Sequence, residues 1–193
     1  TGVWHIHTTY TDGSSSVMDY FKFAKKNGIK FLGFTEHVRK NLTYDFDAYF
    51  NEVKNLSKKF GIKAAAGIEV SLVEGKLNVS KNVLRKADIV FGVIHKSVDD
   101  KREYINMVEL LLNQHIHVWG HPTLSLLRAR IELSNKEIKK ILEKVKERRI
   151  VVEINLKYSL PNINMIAYCL RLGIPMLIGV DAHSTKELEE LIA

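Results

Sequence analysis

Short apolar runs alternate with amphipathic stretches along nearly the whole chain of 193 residues, and this alternation limits the possible folds more than any other feature. The apolar runs are rich in β-branched and aromatic residues, as in strands that are buried on both faces. Seven predicted strands span residues 3–7, 31–35, 64–70, 89–94, 117–120, 150–154 and 176–180. Because strict alternation of strands with helices requires parallel strands and helical crossovers, the sequence predicts an α/β fold. An open doubly wound sheet and a closed barrel both satisfy the pattern.

The amphipathic stretches between these runs repeat apolar residues at helical spacing. Predicted helices span residues 17–27, 45–60, 81–86, 101–114, 134–149, 163–172 and 186–192, and we expect only residues 71–80 and 122–133 to form sizeable irregular loops. Gly61 and Gly173 follow two of these helices, at positions where C-terminal caps belong. No linker, repeat or low-complexity segment interrupts the pattern, so we predict a single domain over residues 1–193.

Composition narrows the setting in which such a chain works. Hydrophobic residues make up 46% of the chain and charged residues 26%, which excludes a disordered or fibrous protein. No apolar stretch reaches the ~18 residues of a membrane span. The single cysteine, Cys169, excludes an internal disulfide, so we expect a cytoplasmic protein with no membrane partner.

Positive charge is the other notable feature of the composition. The net charge of +7 is compatible with nucleic-acid or phosphorylated partners. Much of the excess lies in the predicted helix at residues 134–149, where seven Lys or Arg accompany three Glu. We interpret this segment as a solvated outer helix face rather than a stripe that binds nucleic acid.

Six of the eight histidines fall at or just beyond the C-terminal ends of predicted strands, where parallel α/β folds place their active sites. Three carboxylates share this location, so that the candidate metal ligands are His5, His7, Asp12, His37, Glu69, His95, His121, Asp181 and His183. A lone buried histidine is usually a hydrogen-bonded core residue, but this many on one rim argue against independent structural roles. Because one metal takes about four to six ligands, nine donors indicate two or three divalent ions, bridged by a carboxylate such as Glu69. Zn, Mn or Fe suit mixed imidazole and carboxylate ligands.

The segments around these donors resemble the motif set of the PHP (polymerase and histidinol phosphatase) superfamily. In chain order they read HIHTTYTDG from residue 5, TEH from 35, GIE from 67, GVIH from 92, GHP from 120 and GVDAH from 179. The resemblance implies a distorted (βα)7 barrel of parallel strands with its metal site at the C-terminal rim. Glu36 stands where the family often has Asp, a change that could alter a hydrogen bond beside a ligand. The segment at 120–130, GHPTLSLLRAR, is most similar to the PHP domain attached to family-X DNA polymerases.

The resemblance also implies how three metals would share the donors. The first would take His5, His7, Glu69 and Asp181; the second would take the bridging Glu69 with His95 and His121; and the third would take Asp12, His37 and His183. The expected reaction is hydrolysis of a phosphoester by a hydroxide that bridges the metals.

Charge on the transferring phosphoryl group requires cations beyond the metals. Candidates near strand ends are Arg39, Lys96, Arg128 and Lys157, and Asn155 would orient a water or the phosphate. Asp12 and His183 are predicted to be catalytic as well as metal-binding.

Three functions are compatible with this site. We favour hydrolysis of a phosphomonoester of a small molecule or nucleotide. The second hypothesis is a 3′-end nuclease or end-processing phosphatase that acts on DNA or RNA, which ranks lower because no aromatic residues alternate with basic ones near the rim. The third is a non-catalytic module stabilised by metals. The natural substrate, the metal and the oligomeric state are left open by the sequence.

Overall fold

Seven parallel strands close into a barrel in the computed structural model, which describes residues 2–193. In chain order the strands are β1 (Gly2–Ile6), β2 (Phe31–Val38), β3 (Lys63–Val73), β4 (Lys76–Leu77), β5 (Val90–Val93), β6 (Val118–Trp119), β7 (Val151–Asn155) and β8 (Met176–Ala182). Each barrel strand pairs in parallel with the next along the chain, and β8 pairs with β1 to close the ring. The prediction of an α/β fold is confirmed, and the closed ring excludes the open sheet.

The short strand β4 lies outside this ring and pairs antiparallel with the end of β3. The predicted irregular loop at residues 71–80 is therefore partly wrong, because β3 continues to Val73 and forms a hairpin with β4. The apolar residues Leu72 and Leu77 face each other in this pairing and supply the cross-strand contact that stabilises it.

The barrel is distorted at β1 and β6. The register of β1 shifts between Trp4 and Ile6 against both of its neighbours, and β6 contains only two residues. A bulge bends its strand and changes the direction of the side chain at the bulge. In β1 that side chain belongs to His5.

Helices connect the strands, and every predicted helix is present. Their bounds are α1 (Val17–Lys26), α2 (Phe46–Phe60), α3 (Lys81–Lys86), α4 (Lys101–Leu112), α5 (Leu124–Ala129), α6 (Asn135–Glu147), α7 (Ile163–Leu172) and α8 (Thr185–Ile192). The loop predicted at residues 122–133 is wrong, because α5 lies within it. Its N-cap residue Thr123 is of a type that often caps helices, but it has a φ of 73° and makes no side-chain capping bond.

The other helix ends follow from local chemistry. Ser16 and Asp19 form a reciprocal capping box at the start of α1, and Ser134 and Glu137 form another at the start of α6. Gly61 ends α2 with a left-handed backbone, as glycine permits at a C-terminal cap.

The apolar core is shared by strands and helices. Its largest fully buried side chains include Tyr20 and Phe21 of α1, Phe34 of β2 and Leu142 of α6. At the C-terminal ends of the strands, buried polar side chains replace this apolar packing. No helix within residues 2–193 is long and apolar enough to cross a membrane.

Candidate metal centre

The C-terminal rim of the barrel gathers all nine side chains that the sequence predicts as metal ligands. They come from His5 in β1, His7 just after it, Asp12 in the next loop, His37 in β2, Glu69 in β3, His95 after β5, His121 after β6, Asp181 in β8 and His183 after it. Closing the parallel barrel brings these strand ends around one opening, which explains how positions so far apart in the chain meet.

The backbone is strained at three of these residues. His5 has a φ of 67°, Asp181 a φ of 51° and His121 a φ of 25°, all in a region that residues other than glycine rarely adopt. Each such conformation costs of order 1–3 kcal/mol and persists only where the surrounding structure holds it. The barrel therefore fixes the direction of these side chains at a price in stability.

Glu69 is the carboxylate around which the imidazoles gather. Its Oε1 lies 3.0 Å from Nε2 of His121, 3.2 Å from Nε2 of His5 and 3.8 Å from Nε2 of His95. Its Oε2 contacts Nδ1 of His37. Burial alone would raise the pKa of Glu69, but the nearby imidazoles of His121, His37 and His5 outweigh it and hold that pKa well below the ordinary value. Glu69 is therefore an anion.

Two further carboxylates complete the cluster. Oδ1 of Asp181 lies 3.4 Å from Nε2 of His7 and 3.7 Å from Nδ1 of His183. Oδ1 of Asp12 lies 3.2 Å from Nε2 of His37 and 3.4 Å from Nε2 of His183. Each carboxylate is thus surrounded by at least two imidazoles.

The donors form four overlapping groups whose ligand atoms lie within 4.8 Å of one another. The groups are His7, Asp12, His37 and His183; His5, His121 and Asp181; His5, His7 and Glu69; and Glu69, His95 and His121. The last group coincides with the second ligand set that the sequence implies. The first contains the third implied set and adds His7, while the first implied set is divided between the other two groups.

Burial and nearby carboxylates act in opposite directions on the pKa values of the imidazoles. Complete burial lowers the pKa of His7 to about 3, and burial lowers the pKa of His95 to about 4. At neutral pH both rings therefore carry a free lone pair, the form in which histidine binds metals. For His37, burial also acts to lower the pKa, but the adjacent Glu69 and Asp12 carboxylates raise it above the ordinary value.

Buried ring nitrogens without hydrogen-bond partners show that the donor set fits metal ions. Both ring nitrogens of His7, Nε2 of His5 and Nδ1 of His121 are in this state within residues 2–193. A buried polar atom without a partner is costly, and a divalent cation would supply the missing interaction. Imidazoles alternating with carboxylates are ligands suited to zinc, manganese or iron.

A cavity of about 500 Å³ opens onto the cluster. Its walls combine four of the predicted ligands with cationic, apolar and hydroxyl side chains, namely His37, Arg39, Lys40, Ser71, Leu72, Val73, His95, Arg128, Tyr158, Asp181 and His183. A volume of this size accommodates a small organic molecule.

The predicted phosphate-binding cations occupy different surroundings. Arg39 lines the cavity and pairs with Asp12, and Arg128 lines the same cavity. Lys157 donates to the carbonyl oxygen of Asp181 at 3.0 Å and pairs with Glu187 at 2.8 Å. Lys96 is not among the residues that line the cavity, and its ammonium group pairs with Glu103 at 2.7 Å.

Asn155 is fully buried at the end of β7. Its Oδ1 accepts a hydrogen bond from the backbone N–H of Tyr158 at 3.1 Å, which supports the turn after the strand. Its Nδ2 has no partner within residues 2–193. The amide thus has a structural contact on one side and a free donor on the other.

Sequence reasoning missed Glu153, a fully buried carboxylate of β7 that contacts His5. It also missed Lys40 and Tyr158 on the cavity wall. The signal for Glu153 was available, because it interrupts the apolar strand VVEIN as Glu69 interrupts AAAGIEV. Lys40 and Tyr158 lie in loops and carry no comparable signal.

The chain matches a protein-family model described as the PHP domain, over residues 4–157. It is 25% identical to a DNA polymerase/3′-5′ exonuclease of Bacillus subtilis, in an alignment that covers 98% of the chain and 35% of the polymerase. The chain thus spans about a third of that relative. It is also 28% identical to a probable phosphatase of a Thermoanaerobacter species, over 93% of the chain and 77% of that protein.

Two solved structures share the fold. A histidinol phosphate phosphatase of Lactococcus lactis, crystallised with zinc, L-histidinol and phosphate, aligns with a TM-score of 0.72 at 19% identity over 99% of this chain and 92% of that one. A protein of Listeria monocytogenes to which a histidinol phosphatase function is attributed aligns with a TM-score of 0.72 at 14% identity, over 97% of both chains. Both agree with the barrel described above.

Proposed function

Because the chain belongs to the PHP domain family, we propose that it is a metal-dependent phosphoesterase, a hydrolase that releases phosphate from a phosphomonoester of a small molecule or nucleotide. The observation that carries the proposal is the cluster of three carboxylates, Asp12, Glu69 and Asp181, each surrounded by imidazoles at the mouth of one cavity. Such a cluster is costly without cations and suited to several of them.

Three divalent ions are proposed to share the nine donors. Glu69 would bridge two of them, since its Oε1 lies near His5 of one proposed set and His121 of another. One ion would lie among Glu69, His95 and His121. A second would lie among Asp12, His37 and His183, and a third among His5, His7, Glu69 and Asp181. Close groups of donor atoms support the first two of these sets, and the donors of the last are divided between two such groups.

Bound metal ions would supply an activated water and neutralise charge on the phosphoryl group. The protein's own side chains would do the rest. Arg39 and Arg128 line the cavity wall and would bind phosphate oxygens, which arginine can do with two parallel hydrogen bonds. Lys157, held near His183 at 3.3 Å, would keep that ring oriented. The free Nδ2 of Asn155 is a donor for a water or a phosphate oxygen.

The cavity supports a small phosphomonoester as the substrate class. Its volume of about 500 Å³ lies in the range of small-molecule sites, and it is lined by cations as well as by Leu72, Val73 and Tyr158. The relatives named as phosphatases and the histidinol phosphate phosphatase with a shared fold point in the same direction.

A phosphate-release assay on metal-loaded protein tests this function. We expect hydrolysis of p-nitrophenyl phosphate and of at least one natural phosphomonoester, lost on chelation and restored by Zn²⁺ or Mn²⁺. His7→Ala should abolish the hydrolysis, while a distant variant such as Glu109→Gln should retain it. Hydrolysis by His7→Ala at the wild-type rate would show that the cluster is not the active site and would favour the non-catalytic module.

A 3′-end nuclease or end-processing phosphatase is the second candidate, supported by the exonuclease relative and the net charge of +7. Labelled DNA and RNA oligonucleotides with 3′-hydroxyl or 3′-phosphate ends separate the two functions. Cleavage that weakens steeply with salt would favour the nuclease, because contacts to the phosphate backbone release counterions. Rates on small phosphomonoesters that exceed those on oligonucleotides would favour the first proposal.

A further inference from the structure

Glu153 of β7 lies wholly within the barrel and belongs to none of the four donor groups found in residues 2–193. Its Oε1 lies 2.6 Å from Nδ1 of His5. Its Oε2 accepts a hydrogen bond from the backbone N–H of His121. One carboxylate therefore contacts two residues that are proposed metal ligands, His5 through its ring and His121 through its backbone.

These contacts indicate how the His5 ring is held. A carboxylate oxygen accepts hydrogen bonds, so we assign the 2.6 Å contact between Oε1 of Glu153 and Nδ1 of His5 to a hydrogen bond donated by Nδ1. Nε2 of a neutral ring then carries the lone pair, and it lies 3.2 Å from Oε1 of Glu69 and 3.9 Å from Oδ1 of Asp181. Nε2 has no hydrogen-bond partner within the described chain. The contact with Glu153 thus directs the metal-binding nitrogen of His5 into the cluster.

The neighbouring strand leaves room for this carboxylate. A Cβ atom on Gly179 of β8 would lie 1.8 Å from Oε1 of Glu153, and a Cβ on Gly120 would lie 3.6 Å from Oε2. Any side chain at position 179 would therefore push the carboxylate away from His5. Gly179 has no positive φ, so space, and not backbone conformation, is what the glycine supplies.

We propose that Glu153 is a positioning residue that holds His5 with its hydrogen on Nδ1 and its free Nε2 toward a metal, and that Gly179 is small to admit it. The proposal rests on the metal-dependent function proposed above. Carboxylates behind metal-binding histidines orient the ring and raise its basicity, and their loss weakens metal binding by roughly 10–100-fold.

Two substitutions test the hydrogen bond from opposite sides. Glu153→Gln keeps the size of the side chain but leaves one acceptor for two donors, His5 Nδ1 and His121 N–H. Gly179→Ala keeps the carboxylate but displaces it. The control for lost stability is Leu142→Ala in α6, which removes a fully buried side chain from the hydrophobic core and leaves all nine donors unchanged.

Titration of the metal-free proteins with Co²⁺, followed by its visible absorption, is the main readout. We expect at least one Co²⁺ to bind about 10–100-fold more weakly in Glu153→Gln and in Gly179→Ala than in the wild type, with an altered spectrum. Leu142→Ala should lower Tm and leave the Co²⁺ affinities unchanged. Wild-type affinities and spectra in both site variants would overturn the proposal. They would mean that Glu153 only occupies space inside the barrel.

A measurement on the wild type keeps the test independent of whether the variants fold. With ¹⁵N-labelled histidine in the Zn²⁺-loaded protein, we expect the His5 ring to show a one-bond N–H coupling at Nδ1 and none at Nε2. A hydrogen on Nε2 would overturn the proposal. Failure of the wild type to bind Zn²⁺ or Co²⁺ would instead overturn the proposed function itself, so the two failures are distinguishable.

Discussion

Glu69 is the residue that joins the rim into one cluster, because histidines from three other strand ends lie within 3.8 Å of one of its oxygens. An apolar strand tolerates such a carboxylate only where hydrogen bonds or cations compensate its burial. Glu69→Gln removes the charge while keeping the shape. We expect the variant to retain at least one metal fewer than the wild type and to lose about 100-fold or more in kcat/KM. Elemental analysis and the phosphate-release assay check this, with Glu109→Gln in α4 as the control.

Arg128 and Lys96 provide a matched pair of cations. The sequence suggests both as phosphate ligands, but Arg128 lines the cavity, whereas Lys96 pairs with Glu103. A charged hydrogen bond contributes about 1.5–3 kcal/mol, so Arg128→Ala should lower kcat/KM by roughly 10–100-fold while Lys96→Ala changes it little. Steady-state kinetics of both variants on one phosphomonoester make the comparison. Equal effects of the two substitutions would contradict the assignment of the cavity wall to phosphate binding.

Glu36 makes the stability of the fold depend on pH. Its carboxylate accepts hydrogen bonds from the backbone of Thr8 and the hydroxyl of Thr11, yet burial raises its pKa from 4.5 to about 7. Between these values the unfolded chain releases the proton and the folded protein keeps it. The unfolded state then binds fewer protons, so the stability contributed by Glu36 is complete below pH 4.5 and is lost as pH rises to about 7.

Glu36→Gln should remove this dependence. We expect the free energy of unfolding of the metal-free variant, relative to the wild type, to rise by roughly 2–3 kcal/mol between about pH 5 and about pH 8. Urea denaturation of both proteins at the two pH values measures the difference. Parallel pH profiles would show that the Glu36 carboxyl titrates at an ordinary pKa.

At the scale of the elements, helix α6 depends on its first turn. The Ser134 hydroxyl accepts a hydrogen bond from the backbone of Glu137, and the Glu137 carboxylate accepts one in return from the backbone of Ser134. Ser134→Ala should lower the free energy of unfolding by about 1 kcal/mol, the usual contribution of a cap, without changing metal content or kcat/KM. Denaturation curves and the activity assay test both halves of this expectation. A loss of metal would mean that α6 is coupled to the site.

The elements with strong local signals were predictable from sequence. All seven barrel strands and the seven helices with clear periodicity are present. The helix α5 was missed because it has only six residues, and its N-cap residue Thr123 has a left-handed backbone and makes no side-chain capping bond. The β3–β4 hairpin was missed for a related reason: β4 is only two residues long, and its pairing depends on contacts with β3 rather than on its own pattern.

The candidate site was predictable from the sequence to the extent that the ends of the strands were predictable. Donors such as His37 and Glu69 follow or end apolar runs, and closing the barrel brings them together whatever the detail of the loops. Glu153 was missed because it lies two residues before the end of its strand, where its role depends on the space beside Gly179. No sequence pattern indicates that there is space for a carboxylate beside Gly179.

At the scale of the molecule, the charged residues of the outer helix α6 have different surroundings from the cations that line the cavity. On α6, Lys144 pairs with Glu109 and Glu137 pairs with Lys101, while the apolar residues Ile141 and Leu142 face the core. The charged residues of α6 therefore form a solvated outer face of the helix. The cations that line the cavity, by contrast, stand beside the carboxylates and imidazoles of the rim.

Bound metal ions should stabilise the whole fold, because their ligands come from six different strands or from residues that follow those strands. A ligand that binds only the folded state stabilises it by about 4 kcal/mol when its free concentration exceeds Kd roughly 1,000-fold. We expect chelation to lower Tm and readdition of Zn²⁺ or Mn²⁺ to restore it. Differential scanning calorimetry with and without chelator measures this. His7→Ala should show a smaller shift than the wild type.

We propose that one rim of the barrel binds several metal ions through side chains drawn from most of the chain. Elemental analysis of protein loaded with Zn²⁺ or Mn²⁺ and then dialysed tests this. We expect about two to three tightly held ions per chain, as nine donors allow. Fewer than two ions per chain after loading would contradict it.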